Sequence, residues 1–158
     1  MSKRVLIAYY THSGNTERVA QMITERSNGD LFLVQPETPY PASYNAVVEQ
    51  AKQEIKKNFM PSIKPCGLDL SDYDTILIGT PNWWSTLAPP IAAFLFQNDL
   101  SGKAVGVFCT HGGGGSGNIE SAVRKLCPDS KMLSILSLYG DGGGKAKKSV
   151  AEWVAEIE

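Results

Sequence analysis

KRVLIAYYTHSGNT, residues 3–16, runs from a continuous apolar stretch through a hydroxyl-rich turn into the start of a helix. Its apolar part, residues 3–9, has strand length and no polar alternation, the pattern of a strand covered on both faces. The helix extends to about residue 26, with Val19, Ala20 and Ile23 on one stripe. Between them, Thr11, Ser13 and Thr16 set hydroxyls around Gly14 at the helix N-terminus. Unpaired helix N–H groups, hydroxyl donors and the positive end of the dipole together suit a phosphate dianion. The turn has no lysine, so it is not a nucleoside-triphosphate loop of the GxxxxGK[ST] type. A phosphate monoester held without lysine or metal fits it better.

The same alternation repeats outward. Residues 30–34 read as a short strand closed by Pro36, and 74–80 (DTILIGT), 103–110 (KAVGVFCT) and 131–138 as three more. Tyr44, Val47, Val48, Ala51 and Ile55 stripe a second helix, and Pro89-Pro90 open a third. Asn118 stands where it caps a fourth, striped by Ile119, Ala122, Val123 and Leu126. Ala146, Val150, Trp153, Val154 and Ile157 stripe the last, which places Trp153 in the core. Five strands alternating with five helices predict a three-layer α/β fold, a parallel sheet with helices on both faces. No linker, repeat or charge run divides residues 1–158, which are expected to form a single domain. Residues 59–73 form a long Pro-containing connection, expected to cover a sheet edge.

The composition removes several function classes. A net charge of −1 with both signs scattered gives no footprint for nucleic acid or a membrane surface. The first apolar run is too short for a signal-peptide core, and no later one approaches transmembrane length, so a cytoplasmic protein is expected. Cys66, Cys109 and Cys127 are widely spaced, with no histidine at metal-ligand spacing. They read as small buried hydrophobes in a reducing compartment.

In a doubly wound sheet the ligand lies beyond the C-terminal strand ends, at the switch point between strands 1 and 3. The segments there are 10–16, 82–86, 110–118 and 139–144. They hold both histidines, two of the three tryptophans and the run Gly112–Gly115. A structural turn needs one glycine, not four in succession. Trp83 and Trp84 are adjacent at a turn, where both side chains are not expected to be core, and a flat apolar ring system gives each something to stack on. Gly112, Gly114 and Gly117 also satisfy GxGxxG, but the chain ends one helix after strand 5, leaving no second mononucleotide half. A receiver domain is excluded because strand 1 ends in Tyr9-Tyr10-Thr11 rather than an acidic cluster.

TxSGxT directly after strand 1 resembles the FMN-phosphate loop of flavodoxins, and the turns after strands 3 and 4 are similar to the loops that hold the flavin ring there. YPASYNAVVEQAKQE (40–54), GTPNWWSTLAPPIAAFL (79–95) and FCTHGGGGSG (108–117) resemble a short-chain bacterial subgroup with a Trp-Trp loop after strand 3. The resemblance covers essentially the whole chain. It implies strand order 2-1-3-4-5 and FMN as cofactor. It implies phosphate contacts from Thr11, Ser13, Gly14, Asn15 and Thr16. Thr80, Pro81, Asn82 and Trp83 would follow the ribityl chain and one ring face, while Thr110, Gly112 and Gly113 would line the pyrimidine edge. His12, Trp84 and His111 complete the expected cofactor-binding set. The sequence departs from the family pattern in its two histidines and in Ser85, where a glycine is expected after the tryptophans.

The expected role is intracellular electron transfer, with a redox partner protein or a small-molecule acceptor, by a monomer or homodimer. The alternative is an NAD(P)H-dependent, FMN-containing reductase of quinones or similar acceptors. The flavin-side loops contain one carboxylate, Asp141, which leans away from a strongly acidic carrier. The glycine run is also expected to free backbone N–H groups toward the ring edge, with His111 beside them.

Overall fold

Five apolar runs become five parallel strands: β1 Val5–Tyr9, β2 Asp30–Leu33, β3 Thr75–Pro81, β4 Ala104–His111 and β5 Lys131–Tyr139. The computed structural model describes residues 4–157 and places them in one sheet of order β2-β1-β3-β4-β5. Lys3, expected to open β1, lies outside the described residues. The helices are α1 Asn15–Ser27, α2 Tyr44–Lys56, α3 Pro89–Gln97, α4 Ile119–Leu126 and α5 Ala146–Ile157.

The central strands are mostly apolar because both of their faces are buried. Ile7, Tyr9, Leu77 and Phe108 meet Val19, Ala20 and Ile23 of α1 and Val150, Trp153 and Val154 of α5. Leu6, Ala8, Ile76, Ile78, Val105 and Val107 meet Ile91, Phe94 and Leu95 of α3 and Ile119 and Val123 of α4. The α2 helix lies beside α3. Cys109 and Cys127 are buried as expected, which pushes both thiols upward, whereas Cys66 is only partly buried in its loop.

At the β4–β5 seam the register slips between Val105 and Val107, so Leu133 and Ser134 stand opposite Gly106. The Trp153 indole donates to the Ser134 carbonyl at 3.0 Å. It passes over Gly106, where a Cβ would fall 3.3 Å from Trp153 Cζ2 and 2.8 Å from Leu77 Cδ2. The 59–73 connection turns back along the chain leaving β2: Glu37 N–H donates to Ser62 O at 2.8 Å and Lys64 N–H to Gln35 O at 2.8 Å. Its Ile63, Cys66 and Leu70 pack on the α3–α4 core, on a face of the sheet. Among the described residues no helix is long and apolar enough to cross a membrane.

Candidate functional site

The chain switches direction between β1 and β3, and a cleft of about 550 Å³ opens at their C-terminal ends. Its floor is the β1–α1 turn. Thr11 Oγ1 accepts the Gly14 N–H at 3.0 Å and tightens that turn. Gly14, at φ +96°, is the N-cap of α1 and provides no side-chain cap. The first helical bond runs from Arg18 N–H to Gly14 O, so the amides of Asn15, Thr16 and Glu17 have no acceptor among the described residues. Thr16 and Thr110 are both buried and their hydroxyls lie 2.9 Å apart. One proton serves that bond; the other has no protein acceptor, and both residues line the cleft. His12 reaches the opposite rim, its Nε2 bonded to Pro41 O at 2.9 Å.

The second wall follows β3. Trp83 and Thr86 exchange two backbone bonds of 3.1 Å around a two-residue turn. Its central residues, Trp84 at φ +53° and Ser85 at φ +69°, are both left-handed, the geometry of a type I′ turn. Such a turn favours Asn or Gly, which explains why a glycine is the family expectation at 85. Trp83 is braced edge-to-face by Tyr40 at 5.1 Å, Tyr10 at 5.5 Å and His12 at 6.0 Å. Trp84 is half exposed; its indole donates to Val48 O in α2 at 2.9 Å, and Lys52 Nζ lies 5.4 Å from its ring centroid.

The third wall is the end of β4 and the glycine turn after it, which is tied to the Trp turn. Asn82 Nδ2 donates to Gly115 O at 2.7 Å and Asn118 N–H to Ser85 O at 2.7 Å. Gly117, at φ +49°, touches Ser85 so closely that a Cβ would lie 2.9 Å from the Ser85 carbonyl oxygen. Gly112 faces open space. The expected free amides are fewer than the glycine run suggests, because Gly113 N–H donates to His111 Nδ1 at 3.0 Å. That nitrogen is therefore an acceptor, and His111 can present only Nε2–H to the cleft.

Most of the expected site residues thus meet at one cleft. Thr11, Gly14 and Gly113 shape its turns without lining it. Thr80 lies beneath, fully buried, accepting the Ala88 N–H at 3.0 Å and donating to Pro81 O at 2.8 Å, where it supports the start of α3. Sequence reasoning missed Tyr44, Val47, Val48 and Ala51 of α2, which line the cleft, and placed segment 139–144 at this end of the sheet without naming Tyr139, the last residue of β5, or Gly140 among the cofactor contacts. The α2 stripe is shared by core and cleft and looks the same for both. Tyr44, an aromatic at the exposed start of that stripe, was the available signal.

No Asp, Glu, Lys or Arg is among the lining residues. The charged groups stand behind the wall. Burial, and then the Glu54 carboxylate, push the Tyr10 phenol well above its ordinary value; Tyr40, which donates to Glu54 Oε1, is raised by burial, that bond and its charge. Tyr9, bonded to Glu17 Oε1 at 3.2 Å, is pushed up to about 12 by burial and then by that carboxylate.

A Cupriavidus metallidurans protein named NAD(P)H dehydrogenase (quinone) is 33% identical over 141 residues, 80% of this chain and 66% of that protein. A protein of the same name from Paraburkholderia phymatum is 31% identical over 70% of this chain and 59% of its own length, so the chain spans two thirds or less of these curated relatives. Among solved structures, a Lactobacillus acidophilus flavoprotein in complex with FMN superposes with a TM-score of 0.76 at 26% identity, over 96% of this chain and 99% of that one. A family model described as Flavodoxin matches residues 4–157, from the first strand to the closing helix, and the chain belongs to the flavodoxin family.

Proposed function

We propose that residues 1–158 act as one FMN-binding unit of the cytoplasm, holding the cofactor in this cleft for electron transfer to a redox partner protein or a small-molecule acceptor. The observation that carries it is the cleft floor, where unpaired first-turn amides of α1 meet the spare buried hydroxyl proton of the Thr16–Thr110 pair. Those donors suit a phosphate monoester, and Ser13 and Asn15 stand beside them. Pro81, Asn82, Trp83 and Trp84 on one side and Thr110, His111 and Gly112 on the other supply a flat, largely apolar slot for the ring. FMN, when bound, supplies one- and two-electron transfer. The residues of the chain position it, exclude water from one side, and surround it with a wall free of fixed charge.

A second reading, reduction of quinones with NAD(P)H, is favoured by the two relatives of that name. The aromatic rim of Tyr44, Trp84 and Tyr139 suits a planar acceptor.

The cofactor test compares FMN and riboflavin binding to apoprotein carrying Thr16→Val. A hydrogen bond to a charged group contributes about 1.5–3 kcal/mol, so FMN should bind roughly ten- to a hundred-fold more weakly while riboflavin hardly changes. Equal losses for both ligands would overturn the phosphate assignment. Turnover of quinones with NADH or NADPH as sole donor would decide for the reductase.

A further inference from the structure

Arg18 is placed against the ordinary electrostatics of a helix. It stands in the first turn of α1, and its side chain leans back toward the N-terminus. Its Nη2 lies 3.6 Å and its Cζ 3.8 Å from where a Cβ would sit on Gly14, so the guanidinium covers the N-cap. That is the positive end of the dipole, where a cation is disfavoured. Asn15 Oδ1 accepts from Nη1 at 2.9 Å, and Asp141 Oδ2, in the β5–α5 connection, lies 3.6 Å from the same nitrogen. Both partners of that ion pair are substantially exposed, and such pairs contribute little. The bridge alone does not account for a cation at this position.

An anion on the cleft floor does. The unpaired amides of Asn15, Thr16 and Glu17 and the buried Thr16–Thr110 hydroxyl pair converge there, and no lysine or arginine lines the cleft. Gly14, the N-cap of the helix that carries those amides, has no side chain to hold the guanidinium away from them. We propose that Arg18 supplies the fixed countercharge to the cofactor phosphate, and that Asp141 is its competing partner, aligning the guanidinium while drawing charge from it. This rests on the FMN assignment above. A dianion opposes a monoanion for the same fork of N–H donors, and the fork geometry suits phosphate as well as carboxylate.

The test measures FMN and riboflavin affinities of apoprotein over a range of salt concentrations, for wild type, Arg18→Gln and Asp141→Asn. Arg18→Gln should weaken FMN about three- to ten-fold, the modest scale of a half-exposed charge pair, and leave riboflavin unchanged. Its FMN affinity should also fall less steeply with salt than that of wild type. Asp141→Asn should strengthen FMN binding and leave riboflavin alone, the opposite sign from Arg18→Gln. Riboflavin binding in each variant reports an intact cleft. A wild type that prefers FMN, with preference and salt slope both preserved in Arg18→Gln, would overturn the role of Arg18 alone. A wild type that holds riboflavin as tightly as FMN would overturn the cofactor assignment, and this inference with it.

Discussion

Ser85 holds φ +69° with a full side chain, next to Trp84 at φ +53°. For an L-residue the left-handed region costs roughly 1–2 kcal/mol, and the surrounding contacts must fix it. Here they do: Ser85 O accepts from Asn118, and Gly117 lies flat against the residue. Ser85→Gly keeps both backbone contacts and removes the strain, offset in part by the greater freedom of glycine in the unfolded chain. It should raise unfolding free energy by roughly 0.5–1 kcal/mol, read as a higher denaturant midpoint at constant slope. A lower midpoint would show that the Ser85 hydroxyl contributes more than the backbone costs. At this scale the sequence showed where the exception lies, since Ser85 stands where glycine was expected, but not its conformation. Thr80 shows the opposite case. Its place in the motif suggested a ligand contact, yet its hydroxyl is consumed by Ala88 N–H and Pro81 O, a pairing that depends on how α3 docks.

Among the elements, the β4–β5 seam is the place where one atom more would be felt. A methyl group on Gly106 would meet Leu77 at 2.8 Å and the Trp153 ring at 3.3 Å, inside a core with no slack. Gly106→Ala should therefore destabilise by about 1–3 kcal/mol, measured by chemical denaturation, and an unchanged midpoint would mean that the bulge shifts to make room. The five strands and five helices were legible to within a residue or two at their ends. Buried parallel strands are apolar on both faces, and the helices carry their own periodicity. The bulge was not legible, because Leu133 and Ser134 look like any other strand residues and the slip is decided by the partner strand and Trp153. Asn118 shows the same limit. It occupies the N-cap of α4, but its side chain makes no capping bond; its backbone N–H is spent on Ser85 instead. The inward role of α2 also escaped, since a helix stripe does not say which hydrophobic surface it will meet.

For the molecule as a whole, Tyr9, Tyr10 and Tyr40 share one consequence. All three are raised above the ordinary phenol value of 10.0, Tyr9 to about 12, with burial the largest cause and Glu17 or Glu54 next. A raised acid stays protonated in the folded chain after the unfolded chain has released its proton. Above 10.0 the unfolded state binds fewer protons, so stability is unaffected below that value and falls as pH climbs toward and past 12. Each such tyrosine contributes up to roughly 1.4 kcal/mol per pH unit in that window. Denaturant midpoints of wild type and Tyr40→Phe across the alkaline range check this; the variant should decline less steeply. Two of the indole protons lie at opposite extremes of the same structure. That of Trp84 is tied to Val48 O across a half-exposed turn, and that of Trp153 to Ser134 O inside the core. Their exchange with deuterium is governed by different openings, a local parting of the turn from α2 for the first and release of the core for the second. The chain thus carries two timers, one for breathing at the cleft mouth and one for loss of the whole fold.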